Sequence, residues 1–350
     1  MADRVKTDCS AEFCTLGEAE KETEKAVEFL KKPIQIGDTY IKNRVFCAPL
    51  AGYTDFAFRK LCYRFGAGLC FTEMVSAKGL RYNSEATKLL LYKDESEPQT
   101  AAQLFGRDPQ YLRDACESGD LAEYAIVDLN MGCPVPKVYK NGEGSALLAD
   151  LPLASELIRT CKKSGKTVTV KFRIGLDKQR IVAADFAKMC EDSGADAITV
   201  HGRTRDAYYS GEPDYAAVAA AKNAVKIPVI ANGGIFSRAD AAKMLDRTGA
   251  DGVMLARAAM YDPHVFSEIL YGERDWDRLS AIRAQTEDML RFYGEKFTVV
   301  QMRKMTAFYT RGMRGGARYR SRLFACNDIE SLKTLWTEIF DAEKNCSERD

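Results

Sequence analysis

The apolar residues of this chain form eight short runs between residues 45 and 256, and segments of helical character separate them. The runs are rich in Val, Ile and Ala without clean alternation, which is typical of parallel strands that helices cover on the outside. We predict strands at residues 45–49, 69–73, 100–104, 125–130, 167–172, 197–201, 227–231 and 252–256. Eight such units indicate an α/β protein with a (β/α)8 TIM barrel. A doubly wound open sheet is disfavoured, because no early G-x-G-x-x-G follows a strand.

The strand pattern stops near residue 271, and apolar residues then recur at helical spacing, as in the segment 279–292. We therefore predict a barrel domain at residues 33–270 and an all-helical domain at residues 271–350. Residues 1–32 are highly charged, and we expect an N-terminal extension that is partly disordered at its start.

The composition is that of an ordinary globular protein, with 46% hydrophobic residues, 29% charged residues and a net charge of +1. No run of 18 apolar residues occurs and the polar start lacks the apolar segment of a secretory signal, so we expect no membrane association. The eleven cysteines include no C-x-x-C pair, and only two histidines accompany them. This pattern argues against a disulfide scaffold and a structural metal, and it favours the reducing cytoplasm.

Cys133 lies on a loop between Gly132 and Pro134, directly after the fourth predicted strand. Barrel enzymes assemble their chemistry at the carboxyl ends of the strands. Most of the eleven cysteines are expected to be inert core residues, but the flanking Gly and Pro leave this thiol reachable. A thiol with its ordinary pKa of about 8.5 is mostly protonated at neutral pH. We predict that Cys133 is catalytic and donates a proton; a nearby cation that lowered its pKa would instead allow a nucleophilic role.

Polar side chains also follow the other predicted strands. In a barrel the carboxyl ends of all strands meet at one rim, where active sites lie. Each residue alone has an ordinary structural explanation, such as a solvated strand end for Lys171 or a core hydrogen bond for His201. Together they predict a site that contains Glu73, Gln103, Asn130, Lys171, Arg173, His201, Arg203, Asn232 and Arg257.

The segments after the last two strands have the features of a phosphate cradle. Gly233 and Gly234, which follow Asn232, let backbone N–H groups approach an anion without interference from a Cβ atom. Ala256 and Arg257 precede a helix, whose N-terminus favours the same anion. Phosphate sites at these two loops are common in barrels. An ordinary turn is the alternative explanation for the glycines.

A flavin mononucleotide (FMN) fits this rim. Lys171 would offset the negative charge near N1 of the reduced ring, and Gln103 would meet the amide edge of the ring. A protonated Cys133 suits an acid that donates a proton opposite a hydride. The residues thus predict a flavin oxidoreductase.

Residues 296–322 carry eight positive charges and no Asp or Glu, although the whole chain is nearly neutral. The cations are Lys296, Arg303, Lys304, Arg311, Arg314, Arg318, Arg320 and Arg322, and aromatic residues lie among them. Such segments bind phosphate backbones and stack on unpaired bases. This basic segment therefore predicts an RNA-binding surface; a solvated helix face is the alternative.

Five motifs resemble those of the tRNA-dihydrouridine synthases, and the similarity is closest to the bacterial B-type enzymes. They are residues 48–55 (APLAGYTD), 130–134 (NMGCP), 144–148 (GSALL), 199–205 (TVHGRTR) and 232–235 (NGGI). The resemblance covers about residues 33–340. It implies an FMN enzyme that reduces the C5=C6 bond of selected tRNA uridines, with NADPH or NADH as the reductant.

The resemblance also implies a role for each matching residue. Cys133 would donate a proton to C5 of the uracil, while a hydride from flavin N5 reaches C6. The flavin would be held by Pro49, Leu50, Ala51, Gln103, Lys171 and His201, with Asn232, Gly233, Gly234, Ala256 and Arg257 at its phosphate. Substrate contacts would come from Asn130, Arg173, Arg203, Arg314, Arg318 and Arg320, and the C-terminal helices would hold the tRNA.

The sequence departs from the family pattern at a few positions. Leu50 stands where the family usually has Met, a change that conserves volume. Ala256 replaces a usual Gly, which would weaken FMN binding if the position needs a positive φ or a very close phosphate. The segment 232–234 also lacks the acidic residue often found at its third position.

Two other functions compete with this interpretation. An FMN oxidoreductase acting on a free pyrimidine, as in dihydroorotate-dehydrogenase-like barrels, explains the rim but leaves the basic segment unused. A non-catalytic RNA-binding protein with a degenerate barrel is disfavoured by the intact group of Cys133, Lys171, His201 and Arg257.

Overall fold

The computed structural model describes residues 9–273 and 276–347 of the 350-residue chain. Within these residues the strands are β1 (Ile34–Ile36), β2 (Thr39–Ile41), β3 (Val45–Cys47), β4 (Leu69–Phe71), β5 (Val75–Ser76), β6 (Thr100–Phe105), β7 (Ile126–Met131), β8 (Thr167–Arg173), β9 (Ala197–His201), β10 (Val229–Asn232) and β11 (Gly252–Leu255). The disorder predicted for the start of the extension concerns residues 1–8, which lie outside the described residues.

The helices of the described residues surround the strands and then continue beyond them. They are α1 (Cys9–Lys31), α2 (Phe56–Arg64), α3 (Ala77–Arg81), α4 (Glu85–Leu89), α5 (Pro109–Glu117), α6 (Pro136–Lys140), α7 (Leu151–Lys162), α8 (Ala183–Asp192), α9 (Tyr215–Ala224), α10 (Arg238–Thr248), α11 (Arg257–Tyr261), α12 (Val265–Tyr271), α13 (Arg278–Tyr293), α14 (Glu295–Tyr309), α15 (Gly316–Ala325) and α16 (Ile329–Ser347). None of them is long and apolar enough to cross a membrane.

Eight parallel strands close into a barrel in the order β3, β4, β6, β7, β8, β9, β10 and β11, and β11 pairs back to β3. The short β5 pairs with β6 as an addition to this barrel. Each predicted strand overlaps one barrel strand, so the prediction of an α/β barrel is confirmed. Because the strands are parallel, all their carboxyl ends lie at one rim.

A hairpin that the strand pattern did not predict precedes the barrel. Strands β1 and β2 pair antiparallel, and Gly37 in their turn lies next to Thr167 at the start of β8. The apolar residues Ile34, Ile36 and Ile41 are buried against residues of the barrel strands. The hairpin therefore covers the end of the barrel opposite the rim.

Short polar residues fix where several barrel helices begin. The side chains of Asp55, Asp150, Asp214 and Ser237 accept backbone N–H groups in the first turns of α2, α7, α9 and α10. Such caps satisfy N–H groups that have no partner within the helix. These caps thereby fix the point at which each preceding rim loop joins its helix.

Helices α13 to α16 follow the barrel, where the apolar spacing predicted helices. Trp336 of α16 is fully buried and donates its indole N–H to the Thr306 hydroxyl of α14 at 3.0 Å. Towards the barrel, Phe56 of α2 packs edge-on against Phe292 of α13, with ring centroids 5.1 Å apart. The apolar core continues from the barrel shell into these helices. The division into two domains at residue 270 stays a prediction.

Helix α1 lies against α10 and α12 on the outside of the barrel. Val27 and Leu30 are buried there, and Glu24 forms an ion pair with Arg238 at 2.6 Å. The described part of the predicted extension is therefore largely helical, and it covers part of the barrel shell.

Candidate active site

A cleft opens at the rim of the barrel, with an empty volume of about 1000 Å³ that includes space open to solvent. Glu73 lies outside its lining and accepts the Gly52 N–H instead, whereas the other rim residues predicted from the sequence line the cleft. They are Pro49, Leu50, Ala51, Gln103, Asn130, Cys133, Lys171, Arg173, His201, Arg203, Asn232, Gly233, Gly234, Ala256 and Arg257. The structure thus brings these residues together in a concavity of the kind that holds cofactors, while the role of each stays a prediction.

Cys133 lies at the wall of this cleft and is half-buried. A Cβ atom at the preceding Gly132 would lie 3.1 Å from Phe172 Cα, so a side chain there would crowd the neighbouring strand. The Cys133 carbonyl accepts the Ser145 hydroxyl at 2.8 Å, which ties the loop to the segment that follows it. Burial raises the pKa of the Cys133 thiol, although nearby cations oppose the shift. The thiol is therefore protonated at neutral pH, as a proton donor must be.

The other cysteines with described side chains lie outside the cleft lining. Cys326 is half-buried, and the remaining ones are buried core residues, as predicted: Cys47, Cys62, Cys70, Cys116, Cys161 and Cys190. Among the described residues, no group of three His, Cys, Asp or Glu side chains is arranged to bind a metal ion.

A chain of side-chain hydrogen bonds runs from the cleft lining to buried residues of the barrel strands. Gln103 donates to Asp128 Oδ2 at 2.6 Å and accepts from Asn130 Nδ2 at 2.9 Å. Asp128 also accepts the Thr169 hydroxyl at 2.6 Å. The Gln103 amide is thereby fixed in one orientation, because its nitrogen faces a carboxylate and its oxygen faces an amide donor.

Asp128 is a supporting residue that the sequence reasoning missed. It is fully buried, and burial raises its pKa to about 6, although the hydrogen bonds from Thr169 and Gln103 oppose the shift. An aspartate inside an otherwise apolar strand run was the available signal, since a buried carboxylate needs partners.

Lys171 lies in the cleft at β8 and donates to Asn232 Oδ1 at 3.1 Å. Asn232 is held in turn, because its Nδ2 donates to the Met254 carbonyl at 2.7 Å. Burial and the nearby Arg173 lower the pKa of Lys171 to about 8. An ammonium buried against an amide oxygen is poorly compensated, so an anionic ligand would favour its charged form.

His201, at the end of β9, is buried and uncharged. Burial lowers its pKa well below the usual value, and the surrounding cations Arg173, Lys171, Arg203 and Arg257 lower it further. No carboxylate of the described residues lines the cleft. The cleft is therefore positive and suits an anionic ligand.

The two glycines after β10 have a conformation that favours glycine, with φ of +115° at Gly233 and +71° at Gly234. A Cβ atom at Gly233 would lie 2.7 Å from His201 Cδ2, and one at Gly234 would lie 2.9 Å from Pro213 Cγ. This backbone therefore packs against His201 and Pro213 more closely than a Cβ atom would permit. Ala256 has a φ of −122°, so the penalty expected if this position needed a positive φ does not arise.

Arg257 lies between two aromatic rings that the sequence reasoning also missed. Its guanidinium carbon lies 5.1 Å from the ring centroid of Tyr209 and 5.3 Å from that of Phe236. Both rings line the cleft, as do Met74 and Met254. Large aromatics in loops that follow strands were the signal that pointed to them.

Arg173 and Arg203 line the cleft, but they donate hydrogen bonds to the backbone of the loop 204–211. Arg173 Nη1 donates to the Tyr208 carbonyl at 2.8 Å, and Arg203 Nη2 donates to the Gly211 carbonyl at 2.6 Å. Tyr208 has a φ of +49°, which is uncommon for a residue other than glycine. The two arginines thus hold a strained loop, and the substrate contacts expected of them stay predictions.

The basic segment 296–322 spans α14, a turn and α15, outside the cleft. Arg314 and Arg318 are exposed and Arg320 is half-exposed. Two other cations of the segment are engaged within the protein: Arg322 pairs with Glu338, and Lys304 donates to a rim carbonyl.

The basic segment adjoins the mouth of the cleft through an aromatic contact. The guanidinium carbon of Arg311 lies 4.2 Å from the ring centroid of Tyr261. Tyr261 stacks in turn on Phe236 of the cleft wall, with centroids 6.3 Å apart. The basic segment is therefore connected to the cleft wall through the ring of Tyr261.

The fold and the cleft define a (β/α)8 barrel protein with a positively charged cleft at its rim, and solved structures share this fold. Histamine dehydrogenase from Rhizobium sp. 4-9 matches with a TM-score of 0.55 and 16% identity, over 80% of this chain and 51% of that chain.

Sequence comparisons identify the family. The dihydrouridine synthase (Dus) family model matches residues 46–344. The tRNA-dihydrouridine synthase B of Pseudomonas aeruginosa (strain PAO1) is 34% identical over 89% of this chain and 97% of its own length. The enzyme of the same name from Pseudomonas putida (strain KT2440) is 36% identical, over 85% and 91% respectively. The chain therefore belongs to the dihydrouridine synthase family of flavin-dependent oxidoreductases.

Proposed function

We propose that this protein reduces the C5=C6 bond of specific uridines in tRNA, with FMN as its cofactor and NADPH, or NADH, as the source of hydride. One observation carries the proposal: a half-buried thiol, Cys133, shares a positive cleft with Lys171 and with the glycine turn at Gly233. The names of the relatives, which are tRNA-dihydrouridine synthases, support the same substrate.

The residues of the cleft suit FMN. The turn at Gly233 and Gly234 has positive φ angles that favour glycine and would let its backbone N–H groups face a phosphate, and Arg257 supplies a cation at the adjoining loop. Lys171, which donates to the Asn232 amide oxygen, would gain an anionic hydrogen-bond partner. When bound in this cleft, FMN would supply the hydride for reduction of the uracil.

The residues around the proposed flavin position would hold and orient it. The loop 49–51 lines one side of the cleft, and Gln103, fixed by Asp128, would present its amide to the edge of the ring. A charged Lys171 would offset the negative charge that develops near N1 on reduction. His201, uncharged in this surrounding, would serve as a hydrogen-bonding group.

Cys133 would complete the reduction by donating its Sγ proton to C5 as the hydride reaches C6. The thiolate left behind would be stabilised by Lys171 and Arg173, whose charges favour deprotonation. Asn130 accepts the backbone N–H of Cys133 at 2.9 Å and would keep the thiol aimed at the base.

The helical region at residues 271–350 would hold the tRNA. A uridine inside a folded tRNA must be extruded to reach a cleft at the barrel rim. Exposed cations such as Arg314 and Arg318 would bind the phosphate backbone. The loop 134–144 would close over the extruded base.

A direct test combines the purified protein with tRNA from cells that lack it. We expect FMN to be released from the denatured protein and dihydrouridine to form at defined tRNA positions when NADPH or NADH is supplied, as read by mass spectrometry. Free uracil and orotate serve as competing substrates. Turnover of either at a rate equal to that of tRNA would favour the free-pyrimidine oxidoreductase instead, and failure to bind FMN would contradict the proposal.

A further inference from the structure

The Gly52 peptide is held by two charged side chains from different parts of the protein. Its N–H donates to the Glu73 carboxylate, which follows β4, and its carbonyl accepts from Lys304 Nζ on α14. Gly52 has a φ of +76° and directly follows the residues 49–51 that line the cleft. The conformation of this loop is therefore fixed by two hydrogen bonds, one from the N–H and one to the carbonyl of the Gly52 residue.

The Lys304 side chain is half-buried and packs against the residue that follows Gly52. Its Nζ lies 4.3 Å from the ring centroid of Tyr53, the residue after Gly52. Phe308, one helical turn further along α14, packs edge-on against Tyr53 with centroids 5.5 Å apart. Burial lowers the pKa of Lys304, while Glu73 and Asp55 oppose the shift and favour its charge.

This arrangement gives Lys304 a different position from the other lysine of α14. Lys296 is exposed, as a phosphate-binding cation should be. The ammonium of the half-buried Lys304 instead donates to a carbonyl and lies over an aromatic ring. The charge of Lys304 is thus directed to the rim loop and away from solvent.

We propose that Lys304 is a positioning residue for the cofactor: by holding the Gly52 carbonyl, it keeps the loop 49–52 in the geometry that binds FMN. The role goes beyond the RNA contact that the sequence predicts for this segment, and it rests on the proposed function for the identity of the ligand. It also means that a helix of the RNA-binding region contributes to the flavin site.

The experiment compares Lys304→Met with Lys296→Met, which removes the same charge from the same helix. Hydrogen exchange of the peptide 48–55 is measured on the apoprotein, and the FMN dissociation constant is measured by fluorescence quenching. We expect Lys304→Met to speed exchange of this peptide and to weaken FMN binding by about tenfold or more, the effect of losing about 1.4 kcal/mol. Lys296→Met should leave both values unchanged.

Two further variants separate positioning from general packing. Phe308→Leu loosens the same contact but keeps the Gly52 hydrogen bond, so it should affect FMN binding much less than Lys304→Met. Lys304→Arg keeps a donor and should restore much of the binding. Lys304→Ala, which also removes the donor, replaces the Met variant if that protein does not fold. The proposal is overturned if Lys304→Met, or Lys304→Ala in its place, matches the wild type in both measurements, or if Phe308→Leu weakens FMN binding as much. A wild-type protein that binds no FMN would instead refute the proposed function. The hydrogen-exchange rates would still test whether Lys304 stabilises the loop through the Gly52 carbonyl.

Discussion

Asn130 Oδ1 accepts the backbone N–H of Cys133 at 2.9 Å. The other end of the same amide donates to Gln103 Oε1, also at 2.9 Å. One side chain thus fixes the loop of the proposed acid and the amide that would face the flavin. Asn130 therefore positions both the proposed proton donor, Cys133, and the Gln103 amide of the proposed flavin site.

This relationship predicts different results for two substitutions of Asn130. Asn130→Ala removes both hydrogen bonds, whereas Asn130→Asp keeps an acceptor for Cys133 and loses the donor to Gln103. We expect the Ala variant to form dihydrouridine about 10 to 100 times more slowly, since a lost partner for a buried polar group costs about 1–3 kcal/mol.

The rate of Cys133 alkylation, followed by mass spectrometry, tests whether the slower reaction comes from a displaced thiol. The rate of alkylation should change in Asn130→Ala and stay near the wild-type value in Asn130→Asp. Wild-type product formation by the Ala variant would mean that Asn130 does not position the thiol.

The glycine turn makes a prediction about cofactor affinity. Gly233→Ala places a methyl group 2.7 Å from His201 Cδ2 at a φ of +115°, so the phosphate cradle must distort. We expect FMN binding to weaken by about tenfold or more, as measured by fluorescence titration. Gly249→Ala is the matched control, because Gly249 also has a positive φ but no atom lies within 4 Å of its Cβ position. Equal loss of FMN binding in both variants would show that backbone strain alone is responsible.

Lys171 predicts a pH dependence of stability in the apoprotein. Its pKa is about 8 in the folded protein and about 10.4 in an unfolded chain. Between these values the unfolded chain binds more protons than the folded protein, so the contribution of Lys171 makes the free energy of unfolding rise with pH. Below pH 8 the lysine is charged in both states, and the full cost of burying that charge is present. The free energy of unfolding of the wild type should therefore rise relative to that of Lys171→Met across this window, as measured by urea titration. A constant difference between the two proteins would contradict the shifted pKa.

The basic segment predicts a salt-dependent loss of tRNA binding. Replacing Arg314, Arg318 and Arg320 together by Ala should weaken binding and lower the slope of log affinity against log salt by about one for each lost phosphate contact. Replacing three exposed lysines of the barrel exterior, Lys188, Lys226 and Lys243, is the control and should change the slope little. An unchanged slope in the arginine variant would exclude this segment as the docking surface.

Much of the fold follows from local patterns in the sequence. Barrel strands are buried on both faces, because helices cover them on the outside, so each strand is a continuous apolar run in the sequence. The eight runs therefore predict the barrel. The hairpin β1–β2 was not predicted, since strands of three residues give too short a pattern for alternation to be recognised. Its role depends on burial against barrel residues that are distant in sequence, such as Leu69 and Ile230.

The rim residues were predictable because a strand end fixes where a side chain lies. The supporting contacts were not, because they depend on partners far apart in sequence. Asp128 is held by Gln103 and Thr169 from the neighbouring strands, and Lys304 reaches Gly52 across 252 positions. Arg173 and Arg203 carry the residue type expected of substrate contacts, but only the folded loop 204–211 reveals their backbone partners.

The central claim is that Cys133 supplies the proton while the flavin supplies the hydride. Its most direct test is the rate at which tRNA oxidises the pre-reduced enzyme in a single turnover, for the wild type and for Cys133→Ala. We predict that the variant retains FMN and is reduced by NADPH like the wild type, but reacts with tRNA about 10²- to 10⁴-fold more slowly, the usual contribution of a general acid. A Cys133→Ala protein that reduces tRNA at the wild-type rate would contradict the account.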